Sequence, residues 1–135
     1  MDSYSPAEVT ARTGFSVDTL RYYERVGLLR DVHRTAGGRR RFTEDDLRFL
    51  HLLRCLRDTH MPIAEMLRYV ELLRAGDHTQ ADRLAVLQEH EKRVAEQLAR
   101  LRGHQEHIRM KIALYSGAAE PTVPEEAGVE GLATV

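Results

Sequence analysis

The strongest pattern in the chain lies in its second half. From about Thr79 to Ser116 there is no proline and one glycine, Gly103. Across that stretch Leu84, Leu87, Glu91, Val94, Leu98, Leu101, Gln105, Ile108, Ile112 and Tyr115 recur at alternating three- and four-residue steps. Eight of these ten positions are apolar, and the repeat persists for more than four heptads, which predicts a coiled-coil seam on one long helix. Such a helix would extend roughly 55 Å at 1.5 Å per residue. Its stripe is too long to be buried on the short domain before it, so a second copy is the expected partner. Leu84, Leu87, Val94, Leu98, Leu101, Ile108 and Ile112 would be the dimer contacts, with polar Glu91 and Gln105 helping to fix register and orientation.

The first 75 residues carry shorter signals. Ser5-Pro6 reads as a cap followed by proline at the first helical position, opening a helix that ends near Thr13 at Gly14. Ser16 caps a second helix over about Val17 to Val26, closed by Gly27. Two helices separated by so short a glycine-containing turn have the outline of a helix-turn-helix, with Val9, Leu20 and Leu28 as core contacts. Gly37-Gly38, between His33 and Phe42, suits the turn of a two-stranded wing. Thr43 with Asp46 resembles a capping box and starts a third helix, where Leu47, Leu50, Leu53 and Leu56 share a face and Phe49 and Leu52 suggest burial on another. Pro62 opens a fourth helix bearing Ile63, Met66, Leu67, Val70 and Leu73, stopped at Ala75-Gly76-Asp77. The expected architecture is mainly α: a winged helix-turn-helix over residues 1–75, a dimerisation helix over 76–116 and a disordered acidic tail over 117–135.

Charge changes the picture once it is resolved along the chain. The net charge of −1 conceals a net +3 between Asp31 and Arg41, from four arginines and one aspartate. It also conceals a net −4 after Gly117, from four glutamates. Eighteen of the twenty basic residues are arginine, the side chain suited to bidentate contact with phosphate or guanine. No apolar run is long enough to cross a bilayer. A single cysteine cannot build a disulfide framework, and a cytoplasmic location is expected. No nucleophile–base set, phosphate-cradling glycine loop or metal cluster is evident, so an enzyme is not expected, and no cofactor.

The chemistry concentrates in Thr19-Leu20-Arg21-Tyr22-Tyr23-Glu24-Arg25-Val26-Gly27-Leu28-Leu29. A helix that enters the major groove needs polar groups near its N-terminus and phosphate contacts along its flanks. Arg21 and Arg25 lie one turn apart on one face, and Tyr22 or Tyr23 can offer a hydroxyl to phosphate while its ring packs on the domain. The competing reading makes both tyrosines core and both arginines a solvated surface.

These residues also carry a resemblance. Tyr4-Ser5 with Glu8-Val9, Thr13-Gly14-Phe15-Ser16, the Leu-Arg-Tyr-Tyr-Glu-Arg-Val-Gly-Leu-Leu run, Arg40-Arg41-Phe42, Thr43 to Leu47 and Met61-Pro62-Ile63 together resemble the N-terminal signature of the MerR family over about residues 4–74. The resemblance implies a homodimeric regulator that binds double-stranded promoter DNA and distorts an overlong spacer, acting on RNA polymerase through the promoter. It places Ser16, Thr19, Arg21, Tyr22 and Tyr23 at the DNA-reading helix and Arg34, Arg39, Arg40 and Arg41 in the wing. Asp18 departs from the family pattern, standing where many members have a basic or neutral residue.

The effector is less legible. Metal-sensing members carry cysteines around the ends of the dimerisation helix, and this sequence has none there. His104 and His107 share a helix face, but seven histidines in a polar chain read as solvated. The nineteen residues after Ser116 are too short for a drug-binding domain. Cys55 remains. It reads as a small buried hydrophobe, or as a thiolate favoured by Arg54, Arg57 and His51. Arg-Cys-Leu-Arg-Asp and Leu-Leu-Arg-Ala-Gly-Asp resemble the aldehyde- and thiol-stress-responsive subgroup, which implies that Cys55 senses electrophiles. The alternative is a repressor or architectural protein without a covalent effector.

Overall fold

The computed structural model describes residues 3–117. The expected acidic tail therefore lies almost wholly outside the described residues. Helix α1 spans Pro6–Thr13 and is held at its start by a reciprocal box, in which the Ser5 hydroxyl accepts from Glu8 N and Glu8 Oε1 accepts from Ser5 N. It ends at Gly14, whose φ of 82° favours a residue without Cβ. Helix α2, Val17–Val26, starts at the Ser16 cap. The pair forms the expected helix-turn-helix around Val9, Phe15, Leu20, Tyr23 and Leu28, all buried.

The wing pairs β1, His33–Arg34, antiparallel to β2, Arg40–Arg41, with His33 opposite Arg41 and Arg34 opposite Arg40. Of the two turn glycines only Gly38 takes a positive φ, 83°. A further pairing was not legible in the sequence. Tyr4 and Phe42 exchange both backbone hydrogen bonds, at 2.8 and 2.9 Å, so the segment before α1 lies alongside the wing's second strand.

Helix α3, Glu44–Asp58, carries the predicted Thr43–Asp46 box and buries Leu47, Leu50, Leu53 and Leu56, while Phe49 and Leu52 pack partly on the same core. Helix α4, Ile63–Ala75, buries Met66, Tyr69 and Val70. Ile63, expected on that apolar face, stands exposed in the first turn. A 3-10 turn, Asp77–Thr79, leads into α5, Gln80–Tyr115, a helix of 36 residues.

The chain divides into two compact units, the first ending at Glu91 and the second beginning at Lys92. In the first, Val86 and Leu87 pack against the core, and buried His90 places Nε2 2.7 Å from Thr59 Oγ1 at the end of α3. Leu87 was expected to serve the dimer seam. It is half-buried and packs partly on the protein's own core, since the start of α5 belongs to the same packed unit as α3 and α4. Leu84 stays exposed. In the second unit Val94 is half-buried, and Leu98, Leu101, Ile108, Ile112 and Tyr115 are exposed.

Candidate DNA-binding interface

Helical geometry sorts the signature residues of α2 into two faces. At about 100° per residue, Leu20 and Tyr23 turn into the core while Arg21, Tyr22 and Arg25 turn out. Tyr22 is 40% exposed, with the Arg25 guanidinium 5.8 Å from its ring centre. Tyr23 is only 3% exposed and meets Phe15 edge-on, with ring centres 5.3 Å apart. Its phenol is pushed above the usual tyrosine range chiefly by burial. Tyr23 was expected beside Tyr22 at the DNA-reading helix; its ring fills the core, while Tyr22 stands on the outer face. At the N-terminus of α2 the Ser16 hydroxyl accepts from Thr19 N at 3.1 Å and lies 2.9 Å from Thr19 Oγ1. The exposed Asp18 carboxylate sits in the same first turn, where the helix dipole favours it.

The wing arginines differ in how tightly they are held. Arg40 Nε donates to Glu24 Oε1 at 2.8 Å, and Arg34 Nη2 donates to Glu24 Oε2 at 3.4 Å. Arg41 donates to Ser3 Oγ and to the Ser3 carbonyl at 3.0 and 2.8 Å. Arg39 is exposed, and among the described residues its guanidinium has no hydrogen-bond or ion-pair partner. A cleft of about 530 Å³ opens between the wing and the start of α1, lined by Ser5, Pro6, Thr35, Gly37 and Arg39 to Arg41. Three arginine side chains thus line one open space, an arrangement suited to an anionic backbone.

Four residues support this surface through contacts that were not read from the sequence. Glu24 ties the wing to α2. Arg54, on α3, donates to the Thr13 carbonyl at the end of α1 and leaves no room for a side chain at Gly14. Arg74, on α4, donates to the carbonyls of Gly27 and Leu28 at 2.7 and 2.9 Å, closing the C-terminal end of α2. Glu71 completes that clamp by accepting from both Arg74 and Arg30. Arg54 and Arg74 each reach across more than forty residues, and no local pattern marks such contacts.

Cys55 is exposed rather than buried. The expected electrostatic help from its neighbours takes a different form. The Arg57 and Arg54 guanidiniums lie 4.8 and 5.9 Å from the Phe15 ring centre, and both bond Asp58. Those bonds, Arg54's first, hold the Asp58 carboxyl below its ordinary range. Arg54 and Arg57, three residues apart, share a helix face directed at Phe15 and Asp58, and Cys55, one residue from Arg54 and two from Arg57, does not lie on it. Among the described residues no group of three or more histidine, cysteine or acidic side chains is placed to hold a metal, and His104 and His107 are exposed.

A helix-turn-helix with an outward arginine–tyrosine face, flanked by a basic two-stranded wing, defines a DNA-binding protein of the winged type. Residues 4–73 match the family model described as MerR HTH family regulatory protein, and the chain belongs to that family. An uncharacterized HTH-type transcriptional regulator of Haemophilus influenzae is 37% identical over 116 residues, 86% of each chain. The HTH-type transcriptional regulator AdhR of Bacillus subtilis is 32% identical over 90 residues, 67% of this chain and 64% of its own. Among solved structures, that of HiNmlR, described as a MerR family regulator lacking the sensor domain and bound to promoter DNA, superposes with a TM-score of 0.81. It is 36% identical and covers 85% of this chain and 87% of its own. A putative MerR family regulator from Listeria monocytogenes gives 0.77 at 27% identity, covering 97% of both chains. The family and these relatives are transcriptional regulators, not enzymes. No helix among the described residues is long and apolar enough to cross a membrane.

Proposed function

We propose that the chain acts as a cytoplasmic homodimer that reads two half-sites of double-stranded promoter DNA and distorts the spacer between them, influencing RNA polymerase through the promoter. Residues 1–75 are the DNA-binding part and 76–116 the dimerisation part. The observation that carries the reading is the outward face of α2, with Arg21 and Tyr22 following the Ser16 and Thr19 start, on a helix tied through Glu24 to Arg34 and Arg40 of a wing that also bears Arg39 and Arg41. Arg21 is the base-reading side chain, and Arg39, the least restrained of the wing arginines, is the first phosphate contact. Dimerisation is supported by the exposed apolar residues Leu84, Leu98, Leu101, Ile108 and Ile112. Burying each would contribute about 1.5–3 kcal/mol. Footprinting on the DNA upstream of the protein's own gene tests the reading, with protection of two symmetric half-sites expected. Arg21→Ala should lose about 1–3 kcal/mol of preference for one base pair. Arg39→Ala should weaken all duplexes alike and flatten the salt dependence by roughly 0.9 per lost phosphate contact.

Cys55 is the effector residue in this reading, responding to aldehydes or thiol oxidants. Its exposure supports the role. Cys55→Ser should still dimerise and bind DNA while losing the transcriptional response to the electrophile in run-off assays. A second reading, a repressor or architectural protein without covalent effector, is favoured by one observation: Arg54 and Arg57 are engaged with Phe15 and Asp58 rather than with the thiol. A Cys55→Ser protein that still responds would decide for the absence of a thiol sensor.

A further inference from the structure

Arg34 and Arg40 are direct cross-strand partners in the wing, and like charges placed opposite each other in an antiparallel pair repel. Both guanidiniums turn onto one carboxylate. Glu24 of α2 accepts from Arg40 Nε through one oxygen at 2.8 Å and from Arg34 Nη2 through the other at 3.4 Å. A single acidic side chain on the helix therefore holds one arginine from each strand. Arg34 is fixed a second time, since its Nη1 donates to the Gly38 carbonyl at 3.2 Å, in the turn. The Glu24–Arg40 pair is three-quarters buried, with side-chain exposures of 26% and 24%, so salt screens it less than the exposed pairs elsewhere.

We propose that Glu24 is a positioning residue that sets the wing against the recognition helix, lowering affinity for DNA in general and raising discrimination of one sequence. The inference rests on the DNA-binding reading above. With Nε on the carboxylate, Arg40 keeps its two Nη groups as donors in one fixed direction. A phosphate meets them there only when α2 is seated in its groove. Without the carboxylate, both arginines would follow whatever backbone lies near, and each added phosphate contact would steepen the salt dependence by roughly 0.9.

The test uses the full chain as wild type, E24Q, E24Q/R40Q and E24D. The probes are a duplex enriched by the wild-type protein from a random-sequence pool and a shuffled duplex of the same composition. Fluorescence anisotropy across a salt series gives affinity and slope for each. E24Q should bind the shuffled duplex more tightly with a steeper slope, and the ratio of the two affinities should fall by about tenfold. E24Q/R40Q restores the wild-type net charge, so its slope should return while discrimination stays low. E24D keeps the charge but withdraws the carboxylate by one methylene, and should lose discrimination with a slope between those of wild type and E24Q. An unchanged ratio in E24Q and E24D would overturn the proposal. So would recovered discrimination in E24Q/R40Q, which assigns the effect to net charge alone. An equal loss on both duplexes with a lowered melting temperature would make Glu24 a structural prop and also overturn it. Failure of the wild-type protein to enrich any duplex would sink the DNA-binding reading itself, before any variant is compared.

Discussion

A Cβ at Gly14 would collide with the Arg54 guanidinium, on a backbone whose φ of 82° already disfavours side chains. Gly14→Ala should therefore cost about 1–2 kcal/mol from the backbone alone, with displacement of Arg54 from the Thr13 carbonyl in addition. Urea denaturation would read this as a lower midpoint at unchanged slope. The adjacent tyrosines should separate just as sharply. Tyr22→Phe should leave stability unaltered and weaken DNA binding, whereas Tyr23→Ala should cost about 3–5 kcal/mol of folding stability, like other large core truncations. Acid sensitivity also belongs to single residues. Asp58 is held below its ordinary 3.8 first by the Arg54 hydrogen bond, and Glu8 below 4.5 first by the Ser5 amide. Both carboxyls have folded pKa values below their unfolded ones. Their contribution is thus present above the unfolded values and lost as pH falls through the folded ones. Melting temperatures should drop below about pH 4, and less so in Asp58→Asn.

Among the elements, α2 has its C-terminal end held by a residue of another helix. Arg74 donates to two carbonyls just past its last turn, so Arg74→Ala should cost about 1–2 kcal/mol. Hydrogen exchange should quicken at the C-terminal amides of α2, and DNA affinity should fall while the dimer persists. The helices themselves were legible because their signals are local. Ser5 and Ser16 cap as expected, Thr43 and Asp46 form the reciprocal box, and Gly14 and Gly27 close α1 and α2 in left-handed conformations. The outward face of α2 was legible to within one residue, since spacing left open which of Tyr22 and Tyr23 fills the core. The Tyr4–Phe42 pairing, the Arg74 clamp and the double engagement of Glu24 could not be read. Each joins segments far apart in sequence through contacts that only the folded chain brings together.

For the whole molecule, the exposed apolar positions of α5 matter most. Leu101 is 64% exposed and Ile112 61%, apolar surface that the proposed dimer would cover. Leu98→Asp with Leu101→Asp should yield monomers in sedimentation and abolish specific DNA binding, and an intact dimer in that variant would move the interface elsewhere. The wild-type melting temperature should rise with protein concentration, as mass action requires. The same stripe bears on control of gene expression. If only paired chains fill the promoter, then at scarce protein its occupancy grows with the square of chain number. Doubling synthesis would there raise occupancy about fourfold by that mass-action relation. A regulator built this way would act as a threshold on its own abundance, silent at low copy and responsive over a narrow range, with no ligand required.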